Sequence, residues 1–497
     1  MTVPYNTTPA DALVPLFYGE VDNSMANSGS TALRSLIVAQ VNDDVDLVAS
    51  ALQIVARTSD AIALGGDGSM LASMHARWRK IDLGGEIWVL PVKVDTGSVA
   101  TGKVTLTGTA TEAGLINLYI GATRIRASVV VGQTAAETAT TLAAAINVAT
   151  SLPVTAAAAN AVVTLSCRWK GDTGNDIKLA VNMKGAAANE KTPAGLTVAM
   201  VNPAGGTGSP DLAQLLALVG DEPFEFICHP YSDVNTLDDF RDWMNDSSGR
   251  WSYAQQLWGH VYTAQRGSLG QLVAAGRVRN DAHMTIAGFE ATAPDPIWEE
   301  SAAYCARQAV FLSIDPARPT QTGELVGLTP APAGQRFIWS EFQSLLKNGI
   351  ATQNYDGGSV RIQRAITTYQ RNAYGQPDDS YLDSETMHTT GYVMRYLRSI
   401  ITSKYGRHKL ADDGTRFGAG DALVTPSTIR GELIAAYQEL ERRGIVENSA
   451  LFEKYLIVER AAGSPNRLNV LFPPDYVNQL RIFALLNQFR LQYAEAA

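Results

Sequence analysis

The sequence predicts a mixed α/β (α+β) multidomain protein: a layered α/β core built from N- and C-terminal parts of the chain, with an inserted β-rich domain and extended terminal arms. Three observations carry this. Two apolar runs, Leu36 to Val41 and Glu86 to Val92, have the length and continuity of strands buried on both faces, and a helix-period segment lies between them. From Lys93 to Gly208 the texture shifts to Thr, Ala, Gly and Val with period-two alternation. Both ends of the chain then break the pattern of a self-contained domain. A length of 497 residues itself argues for more than one domain.

Residues 1–33 are rich in Asn, Ser, Pro and Thr around one short apolar stretch, Leu16 to Val21, and read as an extended arm that needs a partner to become ordered. Residues 34–92 form the N-terminal part of the core. The helix there starts at Ser69, a good N-cap, and sets Met70, Met74 and Trp78 on one stripe, with Arg77, Arg79 and Lys80 complementing its C-terminal dipole. Residues 93–208 form the inserted domain, with strand-like runs at Val104 to Thr107, Ile125 to Val131, Val162 to Cys167 and Ile177 to Met183. Its one clear helix is opened by the capping box Thr134-Ala135-Ala136-Glu137 and carries Ala139, Leu142 and Ile146 on one face.

Residues 209–355 alternate strands (Phe224 to Cys228, Leu257 to Thr263, His283 to Phe289) with helices, one of them Thr236 to Asn245 with a Thr-x-x-Asp cap, as in a layered α/β unit. Residues 356–467 continue the core with a strand through Tyr369, a helix from Ser384 to about Ile401, and a helix from Pro426 to Arg443. In the latter Thr425 caps, Pro426 takes the first helical position, Ile429, Leu433, Tyr437 and Leu440 form the buried face, and Gly444 ends it. Leu456 to Arg460 and Arg467 to Phe472 then read as strands. Residues 468–497 form a C-terminal arm: in Val477 to Leu491, Leu480, Ile482, Ala484 and Leu486 fall on one face and Phe483, Leu485, Phe489 and Leu491 on the other. A strand apolar on both faces belongs inside a sheet.

Composition narrows the function. The 40 Lys plus Arg against 49 Asp plus Glu leave a net charge of −9, which disfavours nucleic acid and anionic membranes as partners. Only 18% of residues are charged, below the usual quarter, as expected of a surface that meets protein over large areas. No apolar run approaches the ~18 residues of a membrane span, and the first basic residue is Arg34, so neither a membrane anchor nor a secretory signal is expected; synthesis in a cytosol is. Cys167, Cys228 and Cys305 are too scattered for a disulfide framework and read as core residues.

The chemistry search yields little. There is no GxxxxGK[ST], HExxH or GxSxG, and no GxGxxG following a strand. Gly65-Gly66-Asp67-Gly68-Ser69 precedes a helix, but it lacks a phosphate-holding Lys and Asp67 would repel an anion, so it reads as a tight turn capped by Ser69. Asp378, Asp379 and Asp383 have no EF-hand spacing and read as a solvated turn and helix cap. His75, His229, His260, His283, His388 and His408 show no metal-ligand spacing, although a triad assembled in three dimensions stays open. Trp243, Trp251 and Trp258 read as core; Lys404, Arg407, His408 and Lys409 read as a solvated helix end or a contact for an acidic surface. No cofactor and no metal are expected.

Several segments, in order, resemble the contractile tail sheath proteins of phages, most closely those of Mu-like phages. They are Pro15 to Glu20, Ala63 to Met74, Glu86 to Pro91, Gly132 to Ala135, Gly171 to Asn175, Arg361 to Tyr369, Asp379 to Asp383, Lys404 to Ala411, and Asn466 to Val470 with Pro473-Pro474. Leu64 stands where the family often has Phe.

The resemblance implies a structural motor rather than an enzyme: hexameric rings stacked helically around a tail tube, linked by N- and C-terminal arms that add strands to a neighbour's sheet. The sheath would contract once to drive the tube through the host envelope for genome ejection. It implies as partners the chain itself, the tail tube protein, the baseplate and the tail terminator, with assembly in the host cytoplasm and residence in the virion tail. The arm strands would include Leu16, Phe17, Tyr18, Leu480, Ile482, Phe483 and Leu485, and the tube-facing surface Arg395, Arg398, Lys404 and Arg407. A sheath of a phage-derived injection system or bacteriocin fits the same residues. An α/β enzyme using residues 209–420 is the competing reading, and it lacks a catalytic constellation.

Overall fold

In the computed structural model, residues 33–47, 51–418 and 421–491 are described. The centre is a six-stranded sheet. Its first strand, β1 (Arg34–Gln40), is followed by the short β2 (Gln53–Ile54), helices α1 (Thr58–Gly65) and α2 (Met70–Arg79), and β3 (Glu86–Val92). After an excursion of about a hundred residues come α4 (Leu212–Ala217), β11 (Phe226–Cys228), α5 (Val234–Met244), β12 (His260–Gly267), α6 (Leu269–Arg277) and β13 (Met284–Glu290). The strand order is β13-β12-β11-β1-β3-β2, parallel except for the antiparallel edge strand β2.

Period two decides which side chain faces which layer. Ile37 and Ala39 join a core with Met70, Met74 and Trp78 of α2 and Trp298 of the long helix α7 (Ile297–Ile314). Leu36 and Val38 point the other way, onto Leu212, Leu237 and Phe240 from α4 and α5, Leu272 from α6 and Leu345 from α8 (Trp339–Leu346). Helices on both faces are what a buried parallel sheet requires.

The excursion holds two antiparallel sheets around one α-helix, α3 (Ala135–Val148). One sheet has the order β10-β4-β8-β7 and the other β6-β5-β9, from β4 (Val99–Gly108), β5 (Gly114–Ile120), β6 (Thr123–Val129), β7 (Val154–Ala159), β8 (Val162–Lys170), β9 (Leu179–Val181) and β10 (Leu196–Ala204). The capping box forms: the Glu137 amide donates to Thr134 Oγ1 and the Thr134 amide to Glu137. Trp169 of β8 packs edge-on to Trp298 with ring centroids 5.2 Å apart, so the two cores are continuous. The glycine turn is another point of contact, because a Cβ on Gly68 (φ +67°) would sit 2.1 Å from the Leu152 carbonyl oxygen.

Beyond the core lie the hairpin β14 (Thr352–Asp356) and β15 (Ser359–Arg364), the helix α9 (Ser384–Tyr405), the short parallel pair β16 (Lys409–Leu410) and β17 (Leu423–Val424), α10 (Pro426–Arg442), α11 (Ser449–Tyr455), and the hairpin β18 (Ile457–Arg460) and β19 (Leu468–Leu471). The first half of α9 is buried through Glu385, Met387, His388 and Val393; its second half packs through Tyr396, Leu397 and Ile401 on Ile429, Leu433 and Tyr437 of α10.

Several local expectations are corrected. Helix α5 is capped by Asp233, which accepts from the Thr236 amide at 3.0 Å, so Thr236 is a buried position inside the helix rather than its cap. The strand after Gly358 ends at Arg364, short of Tyr369. Helix α1 precedes the one capped by Ser69. The segment Val477 to Leu491, expected inside a sheet, belongs to no sheet among the described residues.

Candidate assembly arm and its root

The C-terminal segment is held residue by residue as far as Arg481. Phe472 packs edge-on to Phe452 at 4.8 Å and lies 6.0 Å from Tyr437. The Glu447 amide donates to the Asp475 carbonyl at 2.8 Å, the Asp475 amide to Tyr437 Oη at 3.0 Å, and the Val477 amide to the Ile445 carbonyl at 3.2 Å. Gln479 then donates to the Ala317 carbonyl at 2.7 Å, and Gln321 to the Leu480 carbonyl at 3.3 Å.

Arg481 is the last half-buried side chain among the described residues of the segment. Its Nη2 lies 3.0 Å from Glu385 Oε2 and 3.2 Å from Asp383 Oδ1. Both carboxylates are otherwise engaged. Glu385 accepts from the amide and hydroxyl of Thr320 at 2.9 and 2.8 Å, and Asp383 takes Arg364 in a bidentate pair at 2.9 and 3.0 Å. Asp383 does stand at the N-cap position of α9, but it spends its side chain on this pair and gives no capping bond. Asp378 accepts from Tyr369 Oη, and among the described residues no group of three His, Cys, Asp or Glu side chains could hold a metal ion.

Past this root the apolar side chains are bare: exposure runs from 70% at Leu480 through Ile482, Phe483, Leu485, Leu486 and Phe489 to 96% at Leu491. Seven large apolar side chains in twelve residues, open on both faces, are far outside what isolated surface residues explain. The hairpin of β18 and β19 that precedes this segment has two strands among the described residues, and its Ile457, Val470 and Leu471 are also exposed. Two-stranded ribbons with free edges invite a further strand. Leu16, Phe17 and Tyr18 lie outside the described residues.

The four basic candidates on α9 and just after it are used unequally. Arg395 lies 2.5 Å from the buried Glu225, and Lys404 lies 2.5 Å from Glu432. Arg398 and Arg407 are exposed and make no ion pair among the described residues.

The histidines assemble one arrangement that sequence reading left open. His388 Nδ1 is 2.6 Å from Glu225 Oε1 and its Nε2 is 2.8 Å from Tyr262 Oη. Burial raises the Glu225 carboxyl, but Arg395 and His388 outweigh it and hold the group below the usual range. The line has the carboxylate–imidazole–phenol form of a catalytic relay. It ends, however, on a fully buried Tyr262 beside Tyr304, with burial pushing both phenols well up, so it presents no nucleophile to solvent. Its effect is to tie α9 to β11 and β12 across 163 and 126 residues of sequence.

No helix among the described residues is long and apolar enough to cross a membrane. Residues 205–368 match the phage tail sheath protein central domain, and residues 376–490 match the phage tail sheath C-terminal domain. The Mu-like prophage FluMu tail sheath protein of Haemophilus influenzae is 37% identical over 495 residues, covering 99% of this chain and 100% of that relative. Among solved structures, a sheath tail protein from Desulfitobacterium hafniense is 11% identical over 94% of this chain and 97% of its own, with a TM-score of 0.49. One from Listeria innocua is 13% identical over 90% and 93%, with a TM-score of 0.48.

Proposed function

The chain belongs to the phage tail sheath family, among its Mu-like members, and from that premise we propose that it polymerises around a tail tube and contracts to drive that tube through the host envelope. The observation that carries the reading is the run of exposed apolar side chains from Leu480 to Leu491, which no described residue covers. Burying each of them fully is worth about 1.5–3 kcal/mol, and each added ladder bond about 1 kcal/mol net. The receiving surface that fits is the open edge of the β18–β19 hairpin on a neighbouring copy, where an extended segment adds as a further strand. Residues 1–33, with Leu16, Phe17 and Tyr18, supply the second arm.

Such strand exchange links subunits through hydrogen-bonded ribbons while their α/β cores change contacts, so a lattice can rearrange without falling apart. Contraction then runs downhill from a metastable extended lattice to one with larger core-to-core interfaces, with no nucleotide consumed. Arg398 and Arg407, which make no ion pair among the described residues, contact an acidic tube. Baseplate and tail terminator bound the two ends, with assembly in the host cytoplasm. The test is electron microscopy of the purified protein, with and without tube protein. The native chain forms cross-striated hollow tubes, whereas chains lacking residues 2–20 or 482–497 stay as folded particles. Ordered tubes from either deletion would overturn the arm reading for that end.

A further inference from the structure

The central sheet reverses its order beside β1: the chain runs from β1 to β3 on one side and later lays β11, β12 and β13 on the other. In open parallel sheets, the crevice outside the carboxyl ends of the strands at such a reversal is where ligands are held. Here the inserted domain closes over part of it. Its 3₁₀ turn Asp172–Asp176 is tied to the end of β1, where Thr173 Oγ1 donates to Gln40 Oε1 at 3.0 Å. A cavity of about 170 Å³ is left between that turn, the loop after β11 and the last residues of β12.

Three carboxylates and one guanidinium line this cavity. Arg266, whose side chain is only 3% exposed, is matched by Asp176 at 3.2 Å, with Glu300 at 3.5 Å. Asp172 and Asp233 make no ion pair among the described residues. Partial burial raises the Asp172 carboxyl, and the Asp233 charge adds to the rise. Asp233 spends Oδ1 on the Thr236 amide, which leaves its other oxygen. A second kind of observation comes from the wall. Tyr231 is 2% exposed, and its Oη has no hydrogen-bond partner among the described residues; neither has Gln265 Oε1. Burial, Asp172 and Asp233 all raise this phenol, so its oxygen lies within the field of both carboxylates. A buried hydroxyl without a partner costs stability, and a donor-bearing cation in the cavity removes that cost. Among the described residues no three His, Cys, Asp or Glu side chains are placed to hold a metal ion, so the cation that fits brings its own N–H groups.

We propose that this cavity is a binding site for a cationic nitrogen group, an ammonium or a guanidinium, carried by a small organic cation or by a lysine or arginine of a second copy of the chain. Asp172 and Asp233 supply the charge, and Gln265 Oε1 and Tyr231 Oη accept from the N–H groups. Arg266 is already matched by Asp176, and the two unmatched carboxylates repel an anion. The site stands apart from both terminal arms and does not depend on how copies assemble.

The test titrates the unassembled full chain with methylammonium and methylguanidinium, read by saturation-transfer NMR on the methyl protons. Tetramethylammonium, which has the charge but no N–H donor, and magnesium are run beside them. The native chain gives a saturable signal with at least one donor-bearing cation and none with tetramethylammonium, and equal magnesium does not displace it. Asp172→Asn/Asp233→Asn removes both charges and keeps a cap for α5, so half-saturation rises about tenfold or more. Its melting temperature stays within about 3 °C of native. Tyr231→Phe, which loses only the unpartnered oxygen, raises half-saturation about threefold. Assembled tubes separate the two sources. A signal lost on assembly, with more protein needed by the double variant to form tubes, assigns the group to a neighbouring copy; a signal kept in tubes assigns it to a small cation.

No saturable signal, equal binding of tetramethylammonium, or an unchanged half-saturation in the double variant overturns the proposal. Where the double variant does not fold, an unchanged half-saturation in Tyr231→Phe overturns it. A native chain that forms no tubes, even with tube protein, instead overturns the sheath reading and leaves the titration of the site standing.

Discussion

At the scale of single residues, the buried polar side chains set how the subunit answers pH and substitution. His229 is fully buried, its ring stacked on Phe240 with centroids 4.0 Å apart, and burial lowers its pKa to about 3. The unfolded chain takes up this proton near pH 6.5, while the folded chain refuses it until about pH 3. Stability is therefore lost as pH falls through that window, at up to about 1.4 kcal/mol per pH unit from this group. Urea midpoints between pH 7 and 4 check this: His229→Phe, which keeps a ring on Phe240, flattens the slope by about one proton. Gly68 makes a different prediction. Its positive φ and the Leu152 carbonyl leave no room for a methyl group, so Gly68→Ala costs about 2 kcal/mol or more and loosens the inserted domain where it meets the core. Thermal unfolding measures the loss, and hydrogen exchange shows it centred on Thr150–Leu152.

At the scale of elements, sequence patterns disclosed what is local and hid what is not. Thr425, Pro426 and Gly444 bracket α10, and Ser69 starts α2, because caps act within one turn. The continuous apolar runs of β1 and β3 announced a sheet covered on both faces. Helix α1 went unseen because Arg57, at its N-cap, gives no side-chain capping bond. The pairing of β1 with β11 joins residues as far apart as Ser35 and Phe226, the Glu225–His388 and Arg481–Glu385 contacts join residues 163 and 96 positions apart, and no local pattern records such pairings. The arm was legible as a segment apolar on both faces, and it lies in no sheet among the described residues; on the proposed function, the faces that bury it are those of another subunit. Its removal is predicted to be cheap for the subunit and fatal for the lattice. A chain ending at Arg481 keeps its melting temperature within about 3 °C, checked by calorimetry, yet forms no ordered tubes.

At the scale of the whole molecule, the low charge fraction, the continuous core through Trp169 and Trp298, and the bare arm fit one design. On the proposed function, the core carries large protein-facing surfaces and the terminal segments complete the sheets of neighbouring copies. The buried tie of α9 to the central sheet through Glu225, His388 and Tyr262 makes that body stiff where the C-terminal helices leave it. Glu225→Ala, which strands His388 and Arg395, is predicted to cost about 3–5 kcal/mol by chemical denaturation. The measurement that bears most directly on the account is a cryo-electron microscopy map of the assembled sheath. It is predicted to show residues 482–491 as a continuous strand hydrogen-bonded to the β18–β19 hairpin of a neighbouring subunit. A map in which that segment folds back on its own core, or in which neighbours meet without it, would contradict the account.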